Sequence, residues 1–232
     1  MVPIKPVEES LNVLYTACTF LPQLQPGRVV IHQASPLILG SGSPRRRQIL
    51  QDIGIPIRVK PGDADESFRS NESPSSYLER VVLEKLRDVA GRLDHQPHGG
   101  VLVADTIVLL DDQILGKPSD EADARRMLEQ LSGRRHEVRT RFALAAPEAP
   151  SDPVHEQTVC TAVFFRSLGK EEIRGYAASG EGLDKAGAYA VQGLGSFAVE
   201  RIDGSYPNVV GLPTCEVVSA LLRTGLLESF PT

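Results

Sequence analysis

Asp105 stands in the run VLVADTIVLL, where Thr106 is the one other residue that is not apolar. Taking a carboxylate out of water is costly unless a cation, a set of hydrogen bonds or a metal compensates. Such a group in the middle of a buried strand is a candidate metal ligand or general base. The alternative is a strand that ends at Ala104 and restarts after a polar bulge. A second anomaly lies in LILGSGSPRRRQIL, where Arg45, Arg46 and Arg47 follow a glycine-serine turn. Free N–H groups make a helix start favourable for anions and unfavourable for cations. The arginines fit there if a phosphate sits on the backbone N–H groups and accepts forked hydrogen bonds from Arg45 and Arg46. The bland alternative is a solvated basic first turn, and the anion site is favoured over it.

Further residues extend the chemistry. Lys85 projects from the apolar stripe of its helix and needs either an anionic partner or a path to solvent. Lys117, in LGKP, is a plausible phosphate ligand on a glycine-proline frame. Asp65 and Glu66 occupy a polar loop; with Asp105 they offer the hard oxygen ligands that magnesium or manganese prefers. The late loop LDKAGAYAVQGLGS brings Asp184, Lys185, Tyr189 and Gln192 among glycines, and a glutamine amide can read a base edge with one donor and one acceptor. The histidines show no paired metal spacing and receive no role.

These groups need a scaffold. Leu37 to Leu39 reads as a short strand, and Ser43-Pro44 as an N-cap with proline in the first turn of a helix that Gly54 closes. Ile55 to Val59 is a second strand candidate. Ser73-Pro74 opens a long helix whose stripe is Leu78, Val82, Leu86, Val89 and Leu93. VLVADTIVLL reads as a buried strand, DDQ as a turn into the strand ILGKP, and SDEADARRMLEQLSG as a helix with Ala124, Met127, Leu128 and Leu131 on one face. Strands are expected in HEVRTRFALAA, EQTVCTAVFFRSL and FAVERID, a short helix in GKEEIRGYAASG, and a last helix from about Thr214. Strands and helices mix without strict alternation, which points to an α/β domain with a mixed sheet.

Composition narrows the class. At 232 residues, 41% hydrophobic and 24% charged, the chain reads as an ordinary globular protein. A net charge of −5 argues against a general nucleic-acid partner, while leaving room for a small anion in a cationic pocket. Cys18, Cys160 and Cys215 are scattered and fit a reducing compartment. No apolar run reaches the ~18 residues of a membrane span. NVLYTACTFL follows Glu8 and Glu9 and lacks a cleavage pattern, so it does not read as a signal peptide. Residues 1–35 are expected to be an extension, residues 36–232 the domain, and the protein cytoplasmic.

Taken in order, SGSPRRRQIL, DES, EK, ADTIV, LGKP, MLEQLSGRRHEV, SGEGLDKAGAYAVQGLG and IDGSYPNVVGLP resemble the Maf family of nucleoside triphosphate pyrophosphatases. The resemblance runs from about Leu37 to the last helix. It implies a single domain with an elongated mixed β-sheet flanked by helices, as in inosine triphosphate pyrophosphatases. The implied reaction cuts a nucleoside triphosphate between its α and β phosphates with a divalent cation, Mg2+ or Mn2+. It also implies that Asp105 accepts the proton of water and that Glu66 serves the metal with Asp105. Ser43, Arg45, Arg46, Lys85 and Lys117 would hold the triphosphate, with Asp184 and Lys185 beside them. ADT with AVQG looks like the branch acting on dTTP and UTP, in which Arg45, Thr106 and Gln192 set base choice. The sister branch acts on 7-methyl-GTP, and the family also carries an association with septum formation, so a low-turnover nucleotide-binding regulator is the rival class. A homodimer is expected on the same ground. Leu83 and Leu86 flank Lys85 where the family carries small alanines, Thr140-Arg141 replaces a threonine-glycine pair, and YAVQG stands for YGIQG.

Overall fold

The run around Asp105 is one uninterrupted strand. In the computed structural model, which describes residues 29–231, it extends from Val101 to Leu110 with no break at Ala104. Residues 1–28, and with them Cys18 and most of the expected 1–35 extension, lie outside the described residues. In chain order the elements are β1 (Leu37–Leu39), α1 (Pro44–Asp52), β2 (Ile57–Val59), α2 (Pro74–Gly91), β3 (Val101–Leu110), β4 (Gln113–Leu115) and α3 (Glu121–Leu131). They continue with β5 (Arg135–Ala145), β6 (Pro153–Phe165), α4 (Lys170–Ala178), β7 (Val199–Asp203), α5 (Tyr206–Val210) and α6 (Thr214–Arg223).

The strands form a seven-stranded sheet in the order β2-β1-β3-β5-β6-β7, with β4 also paired to β3. β2, β1 and β3 run parallel, and every other pairing is antiparallel, so the sheet is mixed as expected. Side chains alternate between the faces of a strand. The odd residues of β3 therefore meet α2, with Val101 and Val103 against Val82, Leu86 and Val89, and Ile107 and Leu109 against Tyr77, Leu78 and Val81. On the other face, Leu102 and Ala104 pack with Leu50 of α1 and with Val217, Ala220 and Leu221 of α6. Val108 and Leu110 join Leu128 and Leu131 of α3 and Ile173 and Tyr176 of α4. Ile31, within the stretch expected as an extension, is buried in the α6 cluster, and its N–H donates to the Leu226 carbonyl at 2.9 Å.

Between those two apolar clusters runs a polar belt. Thr140, Thr161 and Asn208 are buried, and Asn208 of α5 extends its Nδ2 to the carbonyls of Val138 (3.1 Å) and Val159 (3.2 Å) and to Thr161 Oγ1 (2.9 Å). Through these Nδ2 bonds Asn208 ties α5 onto β5 and β6. The two Ser-Pro starts act as read, Ser43 and Ser73 accepting from the Arg46 and Ser76 N–H groups, and Asp120 caps α3 in the same way by accepting from the Asp123 N–H. The elements differ from the sequence reading at their ends. α2 stops at Gly91, short of Leu93, β6 begins at Pro153, and β7 begins at Val199 because Phe197 and Ala198 close a 3₁₀ turn. α5 was not anticipated in the sequence. Among the described residues no helix is long and apolar enough to cross a membrane.

His136 shows how tightly this face is packed. It is 1% exposed, its Nε2 lies 2.8 Å from the Tyr189 hydroxyl, and the rings of Phe165 and Tyr189 pack on it edge to face. Burial pulls its pKa from 6.5 down to about 4. In that window the unfolded chain binds a proton that the folded chain does not, so stability falls as the pH drops from 6.5 towards 4. The loss approaches about 3 kcal/mol at the acid end. His136→Gln should flatten this slope relative to the native protein, as read by urea unfolding across the window.

Candidate functional site

β3 has a continuous partner on one edge only. On that side β5 pairs with it from Val101 to Leu109. On the other, β1 covers Val101 and Leu102, and β4 covers Val108 to Leu110. The intervening edge opens into a cleft of about 580 Å³ lined from both faces of the sheet, Asp105 from one and Thr106 from the other. The turn after β1 and the first residues of α1 form one wall; the loop around Glu66 and α2, the stretch after β4, and the late loop at 184–192 form the rest. Of the residues proposed from sequence, Ser43, Arg45, Arg46, Glu66, Lys85, Asp105, Thr106, Lys117, Asp184, Lys185 and Gln192 line it, and Asp65 does not.

At the floor, Lys85 Nζ lies 2.7 Å from Asp105 Oδ1 and 2.6 Å from Glu66 Oε1. The side chains of Lys85 and Asp105 are each 11% exposed. The lysine therefore points inward, despite the bulk of Leu83 and Leu86, because two carboxylates meet its ammonium. Burial alone raises the Glu66 pKa, but the hydrogen bond and charge of Lys85 outweigh it, with Lys117 and Arg46 assisting, and hold the carboxyl below its usual range. Asp65 does not join this group. Its carboxylate turns to accept the Ser67 N–H at 2.9 Å, so the adjacent pair suggested by the sequence supplies only Glu66. Among the described residues no group of three or more His, Cys, Asp or Glu side chains is arranged to hold a metal ion.

Arg46 is placed otherwise than as a free triphosphate ligand. Its Nε donates to the Gly211 carbonyl (2.8 Å), Nη1 to Ser41 Oγ (3.0 Å) and the Ala104 carbonyl (2.9 Å), and Nη2 to Thr106 Oγ1 (3.0 Å). Four of the five guanidinium N–H groups are thus committed to the protein. Burial lowers its pKa, opposed by the charges of Asp105 and Glu66. Thr106 is held in the same net, its hydroxyl 2.9 Å from Thr140 Oγ1. Ser43 caps α1.

Other groups face the cleft with less to hold them. Arg45 reaches Asp184 at 3.5 Å, tying the start of α1 to the late loop across the mouth. Lys185 contacts Asp184 and the Glu181 carbonyl. Lys117 and Gln192 are exposed and make no hydrogen bond or close ion pair among the described residues.

Sequence reasoning missed the residues that aim these groups. Arg80 grips Glu72 with Nε (2.7 Å) and Nη2 (2.8 Å) and donates to the carbonyls of Asp65 (3.2 Å) and Ser67 (2.9 Å), so α2 holds the loop that presents Glu66. The Tyr77 hydroxyl donates to the Glu66 carbonyl at 3.0 Å, and Phe68 stacks on the Tyr77 ring at 4.3 Å. The Arg80–Glu84 spacing of four was the one legible signal, and on a helix it reads as a surface pair.

The Arg46 net makes a direct prediction. Arg46→Lys leaves the Ala104 and Gly211 carbonyls short of donors in a buried place, and should lower unfolding free energy by about 2–4 kcal/mol. The exposed neighbour changed in the same way, Arg47→Lys, should stay within ~0.5 kcal/mol of the native protein. Urea unfolding of both variants checks this.

The family model described as Maf-like protein matches residues 36–224. A dTTP/UTP pyrophosphatase of Geotalea uraniireducens (strain Rf4) is 48% identical over 194 residues, 84% of this chain and 97% of that one. A dTTP/UTP pyrophosphatase of Syntrophomonas wolfei is 48% identical over 187 residues, 81% of this chain and 96% of that one. Among solved structures, the Staphylococcus aureus Ham1 protein overlays with a TM-score of 0.45 at 13% identity, covering 82% of this chain and 100% of that chain. The family match takes in every strand of the sheet and every wall of the cleft, and the chain belongs to the Maf-like protein family.

Proposed function

We propose that this chain hydrolyses nucleoside triphosphates, dTTP and UTP first among them, to the monophosphate and pyrophosphate. The observation that carries the reading is the floor of the cleft, where one ammonium holds the carboxylate of a half-open strand and that of the Glu66 loop beside a set of basic side chains. The names of the two relatives support the choice of nucleotide.

In this reading the triphosphate enters between the start of α1 and the late loop. Lys117 and Lys185 stand ready to bind its oxygens from one side and Arg45 from the other, so the ligand competes with Asp184 for Arg45. Arg46 acts by holding the wall: it fixes Ser41, Gly211 and the open edge of β3 at Ala104. Asp105 accepts a proton from the water whose oxygen bonds to the α-phosphorus, as the bond from that phosphorus to the bridging oxygen breaks and pyrophosphate leaves. Lys85 holds Asp105 oriented until that step. Gln192 faces the cleft with an amide that matches the adjacent N–H and carbonyl of uracil or thymine.

Asp105 and Glu66 also form a donor set suited to magnesium or manganese. One oxygen of each faces Lys85 Nζ, and magnesium is commonly bound by one or two carboxylates with water and substrate phosphates completing its shell. There the ion would offset phosphate charge and make bound water more acidic. Lys85, which lies between the two carboxylates, would have to shift toward the phosphates when the ion is held.

The test is pyrophosphate release by the purified protein with magnesium or manganese, against chelator controls, over dTTP, UTP, CTP, 7-methyl-GTP and the common purine triphosphates. Metal-dependent release favouring dTTP and UTP is expected. Asp105→Asn should retain nucleotide binding and lose turnover by about 10²–10⁴-fold. Full turnover in that variant would remove Asp105 as the base. A preference for 7-methyl-GTP would overturn the base assignment while sparing the centre.

A further inference from the structure

One side chain outside the cleft lining holds the glycine-rich turn that carries Gln192, taking two of its backbone amides and a phenol of α4. Glu181 follows the end of α4. Its Oε1 accepts the Leu194 N–H at 2.9 Å, and its Oε2 accepts the Gly195 N–H at 2.8 Å and the Tyr176 hydroxyl at 2.8 Å. The Tyr176 oxygen in turn accepts the Ala190 N–H at 3.0 Å. Backbone amides on both sides of Gln192 are thus anchored to α4 through one carboxylate and one phenol, while the Gln192 side chain stays exposed to the cleft.

The glycines of the turn have their explanation here. A Cβ at Gly193 would lie 2.3 Å from Glu181 Oε1, and one at Gly195 would lie 2.5 Å from the Tyr176 hydroxyl and 2.3 Å from the Ala190 carbonyl oxygen. Gly193 also sits at φ +70°. The space beside the turn is filled by the anchor itself. Consecutive backbone N–H groups converging on a carboxylate give strong, charge-assisted hydrogen bonds with fixed direction. Tyr176, buried on α4 against Phe197, cannot follow a moving loop, so the anchor is rigid.

We infer that Glu181, seated on Tyr176, is a positioning residue that sets base choice by fixing the turn that presents Gln192. The same segment ties in Lys185 through the Glu181 carbonyl, so base-facing and phosphate-facing groups share one mount. The inference rests on the reading of Gln192 as the group that meets the pyrimidine. The carboxylate never touches substrate in this scheme; its two oxygens serve three donors, and replacing one oxygen by an amide NH2 opposes a donor to a donor.

The experiment has two arms on the full chain. Amide hydrogen exchange compares the native protein with Glu181→Gln and Tyr176→Phe. Exchange at Leu194 and Gly195 in the first variant, and at Ala190 in the second, should quicken by about tenfold or more, with the β3 amides unchanged. The kinetic arm measures kcat and KM for UTP and CTP in Glu181→Gln, Gln192→Ala and the double variant. Glu181→Gln should raise KM for UTP and reduce the preference for UTP over CTP by about tenfold, with a much smaller change in kcat. In the Gln192→Ala background the same change should move that preference by less than about twofold, because the two residues act as one unit. Unchanged exchange at these amides would overturn the inference, as would an equal loss of preference in both backgrounds. The exchange arm needs no turnover. A native protein that hydrolyses neither nucleotide would defeat the proposed function, and the anchor would then stand or fall on exchange alone. Tyr176→Phe keeps the question decidable if Glu181→Gln does not fold.

Discussion

The cleft exists because β3 lacks a neighbour along the middle of one edge. An unpaired strand edge exposes N–H and carbonyl groups that must find partners in water, in protein or in a ligand. Here β1 departs after Leu102 and β4 arrives at Val108, and the chain fills part of the gap with a side chain. The Arg46 guanidinium takes the Ala104 carbonyl and, on its other flank, the Gly211 carbonyl beyond α5. An arginine in the first turn of α1 is out of place as a helix residue and in place as a plug for a sheet. Its planar fork can serve several acceptors at fixed angles, which a lysine cannot.

The electrostatics follow from the same gap. A carboxylate on a fully paired strand would be sealed under α2, and its desolvation would be prohibitive without a partner. At the half-open edge Asp105 keeps a narrow path to the cleft while Lys85 neutralises it from the helix side. The pair is weak evidence for stability, because two charges removed from water seldom gain more than they lose. Its value lies in leaving a pre-oriented carboxylate at a place that an incoming polyanion would reach. Arg80, one turn and a little more before Lys85 on α2, meanwhile holds the Glu66 loop against the same helix. A single helix therefore sets the relative positions of both carboxylates and the lysine between them.

Much of this was legible in the sequence because it obeys local rules. Periodicity placed α2 and the inner face of α3, and the Ser-Pro starts placed two helix caps. The isolation of Asp105 among apolar residues marked it as a candidate, while the spacing of Lys85 left open both an anionic partner and a path to solvent. What the sequence did not disclose depends on contacts between distant segments. Arg46 reads as an anion ligand because nothing local announces that Ala104 and Gly211 carbonyls lie beside it. Asp65 and Glu66 are chemically alike and adjacent, and only the grip of Arg80 and Tyr77 on the loop decides which one turns inward. α5 stayed hidden because five residues are too few for a helical period, and Asn208 acquires its meaning only against the carbonyls of two strands.

The wall residues divide by what already satisfies them, and the division bears on how base choice can arise. Arg46, Thr106, Ser41 and Ser43 spend their polar groups within the protein, whereas Lys117 and Gln192 do not. The Thr106 hydroxyl lies between the Arg46 guanidinium and Thr140, and Thr140 donates onward to the Asn208 carbonyl at 3.3 Å. Its hydrogen bonding thus influences the cleft through the placement of Arg46 and of the turn at Gly211. On the proposed reading, selectivity is divided between an exposed amide that meets the ligand and a buried net that fixes the cleft wall. On that reading a change in the net would alter the shape offered to every nucleotide, while a change at Gln192 would alter only the edge met by the base.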